Sequence, residues 1–402
     1  MLDFIFEVFP SLLPNHQVNE NDPHHKDQNH LTDHDFRLDF QDIIVDDGYR
    51  VENRTVITDD GYKLTVFRIR HPNTPDTGAP VVFLQHGILD TADCWVMHHS
   101  DESPALILAE EGYDVWLGNS RGTVNSYQHV NLTVKDKEYW DFSFHEMGKY
   151  DVPANIDFVR AHTGVDKVIY LGHSQGTMQF WIANILNDDL GSKLEGMVGF
   201  APIMYLGNQT SVFVNTLFGL KLDKIWMKLG NDKLLFLKNG YNWFDSLVCK
   251  VAPTFVNFVP RTVWTFVQTI VGIDKKSHMN PRFMPMMAKN DVGGTGMWNI
   301  EHYRQLVFSD KFLTPDRPGM PAPTEYDISK LKENLKDVKI QFFVGSKDAF
   351  SPPGDVERLV AALPEGNVAV QPIDDYNHLD YMWAKDVGDF VSPVLNDFVD
   401  NL

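Results

Sequence analysis

Residues 167–188 read KVIYLGHSQGTMQFWIANILND, and the structure they adopt decides what kind of protein this is. The first part, KVIYLGH, is a short apolar run without alternation, which suits a parallel strand buried on both faces. The second part, QGTMQFWIANILND, reads as a helix that follows at once. Ser174 lies between them in G-H-S-Q-G. A strand, a sharp turn and a helix around G-x-S-x-G form the setting of a nucleophile elbow. Gly172 and Gly176 fit that reading, because the turn crowds strand against helix and a side chain at either position would clash. The helix N-terminus also directs amide dipoles at the serine oxygen. The pentapeptide alone is moderate evidence. With 27 glycines in 402 residues, chance supplies it about one time in ten.

Working outward, the same kind of run recurs as PVVFLQHG (80–87), YDVWLGNS (113–120), EGMVGFAP (195–202), VKIQFFVGSKD (338–348) and GNVAVQPID (366–374). Helix-like stretches separate the runs, so right-handed crossovers and a doubly wound, mostly parallel α/β sheet are expected. Before them, RVENRTVIT and YKLTVFRIR flank Asp59-Asp60-Gly61, a hairpin signature. Residues 203–337 break the rhythm. The organisation expected is an N-terminal arm and polar linker (1–40), a first core part (41–202), an inserted helical cap or lid (203–337) and a second core part (338–402). The alternative for the insertion is a second core layer with no part in substrate binding.

A serine hydroxyl is a poor nucleophile until a histidine accepts its proton and a carboxylate orients that histidine. On this architecture the chain order is serine, acid, histidine. FFVGSKDAFSPP supplies Asp348 just past a strand, and YNHLDYMW supplies His378 in the loop after the last strand. Asp374, Asp375 and Asp380 stand nearer to His378 along the chain, but sequence proximity does not place a carboxylate across the loop. His278 and His302 lie in the insertion, where histidine is more often an ordinary polar residue. A developing oxyanion needs backbone amides. The residue after the nucleophile, Gln175, is one donor. The loop after PVVFLQHG points to Ile88 as the other. His86, in an H-G turn, reads as a brace for that loop.

The net charge of −20 argues against a nucleic-acid partner, since nothing here would neutralise phosphates, and against an anionic membrane surface. Cys94 and Cys249 are the only cysteines, which excludes a disulfide framework and leaves either one bridge or two buried thiols. No metal or organic cofactor is implied. The run from Val251 to Ile273 nearly has transmembrane length, but Pro253, Pro260 and Arg261 argue against a span. Within it, TVWTFVQTIVGI (262–273) places Val263, Phe266, Val267, Ile270 and Val271 on one helical face.

FLQHGILDTADCW, ILAEEGYDVWLGNSRG, YWDFSFHEMGKYDVPANIDFV, YLGHSQGT and YNHLDYMWAKD together resemble the acid lipase family, which includes gastric lipase, lysosomal acid lipase and fungal steryl ester hydrolases. The resemblance runs from about residue 40 nearly to the C-terminus and is weakest in the insertion. It implies an α/β-hydrolase fold with a cap and lid, acting on carboxylic esters of long-chain fatty acids. Residue by residue it supports Ser174 as nucleophile, Asp348 as acid, His378 as base, and Ile88 and Gln175 as oxyanion donors. Leucine is usual where Ile88 stands, which matters little for a backbone amide. The cap disulfide of mammalian members has no counterpart near Cys249.

For such a substrate, Met284 and Met287, with Met279, Met286 and Phe283, offer an adaptable apolar surface for an acyl chain. The helix bearing Trp264 and Phe266 is a candidate for docking on a lipid–water interface, core packing of the cap being the plainer reading. Removing residues near 262–273 is then expected to abolish action on emulsified lipid and spare a soluble short-chain ester. Other α/β-hydrolase chemistry on small esters or thioesters, and a non-catalytic binding module, are the alternatives. MLDFIFEVFPSLLP (1–14) reads as a truncated signal or an amphipathic arm, since it carries Asp3 and Glu7 and lacks a basic start. The resemblance implies a lysosomal or secreted glycoprotein. Asn53, Asn131 and Asn208 each begin a glycosylation sequon, although about two would arise by chance.

Overall fold

Eight strands of five residues or more order the described residues. β1 (Arg50–Ile57) and β2 (Tyr62–Arg70) form the expected hairpin, followed by β3 (Val81–Gln85), β4 (Asp114–Gly118), β5 (Val168–His173), β6 (Leu194–Phe200), β7 (Lys339–Gly345) and β8 (Val368–Ile373). The computed structural model describes residues 40–46, 48–97, 102–235, 267–274 and 292–402; the N-terminal arm, Cys249, Trp264, Phe266, His278, Met284 and Met287 lie outside the described residues. Within the sheet the order is β1-β2-β4-β3-β5-β6-β7-β8, with the two-residue strand Gln128–His129 paired to β2. β2 runs antiparallel to β1 and β4, and every pair from β4 to β8 is parallel. At the hairpin, Gly61 adopts φ +96°, a conformation that a side chain would strain.

The runs without alternation in sequence are buried on both faces in β3, β4 and β5. The pleat still sorts them by side. Val81, Phe83, Val168, Tyr170, Ile340 and Phe342 enter one hydrophobic layer, while Val82, Leu84, Ile169, Leu171 and Phe343 enter the other. β8 departs from the expectation. It is the edge strand and leaves Ala369 and Val370 exposed. Pro372, which lacks an N–H, is tolerated at an edge.

Helices α1 (Pro104–Glu110), α2 (Val152–Thr163) and α3 (Gln175–Leu186) follow β3, precede β5 and follow β5 respectively. Within 203–337 the described elements are α4 (Val212–Gly219), α5 (Leu222–Lys228), a helical stretch at 267–271, a short antiparallel pairing of Lys233–Leu234 with Thr295–Gly296, α6 (Met297–Ser309) and the short helix Ser329–Asn334. None of them joins the main sheet. α6 nevertheless packs Met297, Ile300, Tyr303 and Leu306 into the layer that holds Phe83 and Tyr170. That end of the insertion therefore does serve as core. No helix among the described residues is long and apolar enough to cross a membrane.

Candidate active site

The site is built at the carboxyl ends of the parallel strands, where strand-to-helix turns leave side chains free of the sheet. At the end of β5 the chain reverses into α3 through Ser174, whose φ of 52° and ψ of −115° are outside the ordinary regions for a non-glycine residue. The tightness explains the flanking glycines. A Cβ at Gly172 would lie 3.0 Å from the backbone of Gly176 and Thr177, and one at Gly176 would overlap the carbonyl oxygen of Gln85 at the end of β3. The Ser174 N–H donates to Phe200 O (3.1 Å), tying the elbow to β6. Thr177 Oγ1 donates to Ser174 O (2.7 Å) and starts the helix.

Ser174, Asp348 and His378 are brought together, although 204 residues separate the first from the last. His378 Nε2 lies 2.7 Å from Ser174 Oγ, and Nδ1 lies 2.9 Å from each carboxylate oxygen of Asp348. The proton of a neutral ring therefore sits on Nδ1, leaving Nε2 to accept from the serine hydroxyl. Asp348 Oδ1 also accepts from the N–H groups of Phe350 (2.8 Å) and Ser351 (3.0 Å), which lock the carboxylate in its loop. All three side chains are buried.

The competing groups are engaged elsewhere. Asp374 accepts from Ser346 Oγ (2.9 Å), and Asp380 Oδ2 accepts from the Asn377 N–H (2.6 Å). His302 packs in α6, its Nδ1 3.1 Å from Ser143 Oγ and its Nε2 2.7 Å from Leu313 O. Burial pushes its pKa down to about 3. The ordinary value is about 6.5, so the native state binds fewer protons than the unfolded chain between those two values. The stability His302 confers is complete above pH 6.5 and is lost as pH falls toward 3. At pH 4 that loss amounts to about 3 kcal/mol. His302→Gln keeps an acceptor and a donor without the titration, so urea unfolding at pH 4 and pH 7 is expected to show a smaller acid loss in the variant.

His86 braces the loop as expected. Its Nε2 accepts from the Ser120 N–H (3.0 Å), and its Nδ1–H donates to Gly87 O (2.7 Å). Burial lowers its pKa and keeps it neutral. Beside it, Ile88 and Gln175 present N–H groups that take no acceptor among the described residues. Gln175 opens α3, where amides lack intrahelical partners. Its side chain is held from the insertion, since Asn299 Nδ2 of α6 donates to Gln175 Oε1 (2.7 Å) while Asn299 Oδ1 accepts from the Phe144 N–H (2.8 Å).

Several participants had no signal in the sequence. His173 Nε2–H donates to the carbonyl of His378 (2.8 Å), and its Nδ1 faces Asp90 at 3.7 Å. Asn299 and Gly293 are a second case: the Gly293 N–H donates to Leu89 O (2.6 Å) beside Ile88. Arg121 is a third. It is buried between Asp60 and Asp151 and stiffens the loop that carries Ser120.

The helical end at 267–271 also reaches the loops that carry Asp348 and His378. Val271 O accepts from the N–H groups of Ala349 (3.0 Å) and His378 (3.4 Å). Removing residues 262–273 thus withdraws support from the loops that carry Asp348 and His378. Turnover of a soluble short-chain ester is expected to fall along with that of emulsified lipid, as parallel assays on both substrates would register.

Strand order and an elbow at the end of β5 are the marks of the α/β-hydrolases. Residues 80–209 match a family profile described as "alpha/beta hydrolase fold", and residues 40–99 match one described as "Partial alpha/beta-hydrolase lipase region". The chain is 35% identical over 334 residues to gastric triacylglycerol lipase of Homo sapiens, covering 81% of each. It is 31% identical over 332 residues to the lysosomal acid lipase/cholesteryl ester hydrolase of Macaca fascicularis, covering 80% of this chain and 81% of that one. Among solved structures, a soluble variant of monoglyceride lipase from Saccharomyces cerevisiae superposes with a TM-score of 0.51 at 15% identity, covering 88% of this chain and 94% of that one. That likeness speaks to the fold alone. This chain belongs to the acid lipase family of α/β-hydrolases, and it is a carboxylic ester hydrolase.

Proposed function

We propose that the chain is a serine lipase that hydrolyses long-chain fatty-acid esters, triacylglycerol or steryl ester, through an acyl-enzyme. The observation that carries this is the continuous hydrogen-bonded line from Ser174 through His378 to Asp348 on a strained elbow. His378 Nε2 takes the Ser174 proton as Oγ attacks the ester carbonyl. The resulting imidazolium is stabilised by the Asp348 carboxylate on Nδ1. The amides of Ile88 and Gln175 receive the oxyanion, and a donor of this kind is worth about 10²–10³ in rate. His378 then protonates the leaving alcohol and activates water to cleave the acyl-serine ester.

Lipid-ester substrates are supported by the relatives, a triacylglycerol lipase and a cholesteryl ester hydrolase, and by the surface of the insertion. Val212, Leu220, Leu222, Ile225, Trp226 and Leu229 of α4, α5 and their flanks are exposed. A run of such residues on neighbouring helices suits contact with a lipid–water interface better than with water. Residues 203–337 then act as cap. A secreted or lysosomal site of action accords with the same relatives.

The test compares wild type with Ser174→Ala on a soluble short-chain ester, an emulsified triacylglycerol and a steryl oleate. Serine-dependent turnover of the long-chain substrates is expected, and their ratio identifies the preferred class. Activity confined to the short ester would make the protein a general esterase, and no serine dependence would overturn the reading.

A further inference from the structure

We infer that Asp274 is a positioning residue for the catalytic base, a latch by which the insertion holds the His378 loop in register; this rests on the triad proposed above. Asp274 is buried, and its Oδ2 accepts from Asn377 Nδ2 (2.8 Å) and from Gln268 Nε2 (2.8 Å). Asn377 precedes the base and is wholly buried. It spends its other groups within the same turn: its N–H donates to Asp380 Oδ2 (2.6 Å), and its Oδ1 accepts from the Leu379 N–H (2.9 Å). Its side-chain amide is thus the side-chain group by which the turn at 377–380 reaches Asp274 of the insertion.

The latch lies in a strap with two further attachments. Val271 O bonds the His378 N–H itself and the Ala349 N–H beside the acid. Gly272, at φ +122°, passes so close to Lys347 that a Cβ there would overlap its carbonyl oxygen. Segment 267–274 therefore touches both loops that carry the acid–base pair, and it belongs to the insertion rather than to the sheet. From the other side His173 donates to the His378 carbonyl (2.8 Å). The backbone of the base is gripped at its N–H by the insertion and at its C=O by the elbow. A carboxylate accepting two amide donors in a buried setting is a stiff anchor. Misplacement of a reacting group by about 1 Å costs about 100-fold in rate.

The expected behaviour of Asp274→Ala is a kcat on a soluble short-chain p-nitrophenyl ester lowered about 10- to 100-fold, with KM nearly unchanged. The rate is taken per active site titrated with a phosphonate ester. Asp274→Asn keeps one acceptor oxygen and is expected to recover most of that rate. Combining Asp274→Ala with Asn377→Ala should cost clearly less than the product of the two single losses, because the Asp274–Asn377 bond is common to both. If Asp274→Ala does not accumulate as folded protein, Asn377→Ala carries the test by the same readings. Wild-type kcat per titrated site, a loss confined to KM, or an Asp274→Asn variant as slow as Asp274→Ala would overturn the inference. Ser174→Ala, assayed alongside, separates the two ideas. If it stays active, the triad is wrong; if it is inactive while Asp274→Ala turns over normally, only the latch falls.

Discussion

Ser174→Ala is expected to lower kcat for ester hydrolysis by about 10⁴- to 10⁶-fold while leaving the fold intact. The substitution deletes one oxygen from a side chain whose hydroxyl, among the described residues, bonds only to His378 Nε2 (2.7 Å). The backbone strain at φ 52° is carried by the turn and not by the hydroxyl, so alanine keeps the elbow. Stability should barely move, and the melting temperature serves as the control. Residual turnover should come from the Ile88 and Gln175 amides and from substrate binding, which survive the change. His378→Ala should be about as damaging as Ser174→Ala, and the double variant little worse, because the two groups act as one unit. Independent, multiplying losses would show that they do not share a proton.

Asp348→Asn should lower kcat by about 10⁴-fold, with KM and fold little altered. Asp348 meets His378 Nδ1 with both oxygens at 2.9 Å, and Oδ1 also receives the Phe350 and Ser351 N–H groups. Asparagine has one acceptor oxygen for these three donors. The backbone N–H groups cannot turn away, so they claim it and present the amide NH₂ to His378. The ring must then place its proton on Nε2, the nitrogen that has to accept from Ser174. An imidazolium formed in the transition state would also lose its buried counter-charge. A proton-detected NMR measurement of the imidazole tautomer, paired with kcat, distinguishes this from simple disorder. A retained Nδ1 proton with full activity would contradict the assignment of Asp348.

Much of the site was legible because its parts announce themselves locally. The G-x-S-x-G turn needs small residues wherever strand and helix approach, so Gly172 and Gly176 mark the elbow without any knowledge of the fold. Asp348 and His378 follow β7 and β8, and strand ends can be read from apolar runs. The run GNVAVQPID marks β8 as a strand but not its exposure, since edge position depends on which strand lies beside it. The supporting groups had no such signal. Asn299, His173, Val271 and Asp274 are ordinary residues in sequence, and three of them act through or upon backbone amides and carbonyls that every residue possesses.

Residue order alone specifies the parallel sheet, the hairpin at Asp59-Asp60-Gly61, the nucleophile candidate and the order of its partners. Each of these depends on short-range sterics or on the burial pattern of one segment. Which carboxylate faces His378 is a matter of packing in three dimensions, because Asp348, Asp374 and Asp380 are chemically alike and differ in where their loops point. The same packing sets residues 267–274 against the loops that carry Asp348 and His378. Contacts between segments this far apart in the chain arise from packing the insertion against the strand ends, and no local pattern of residue types encodes them.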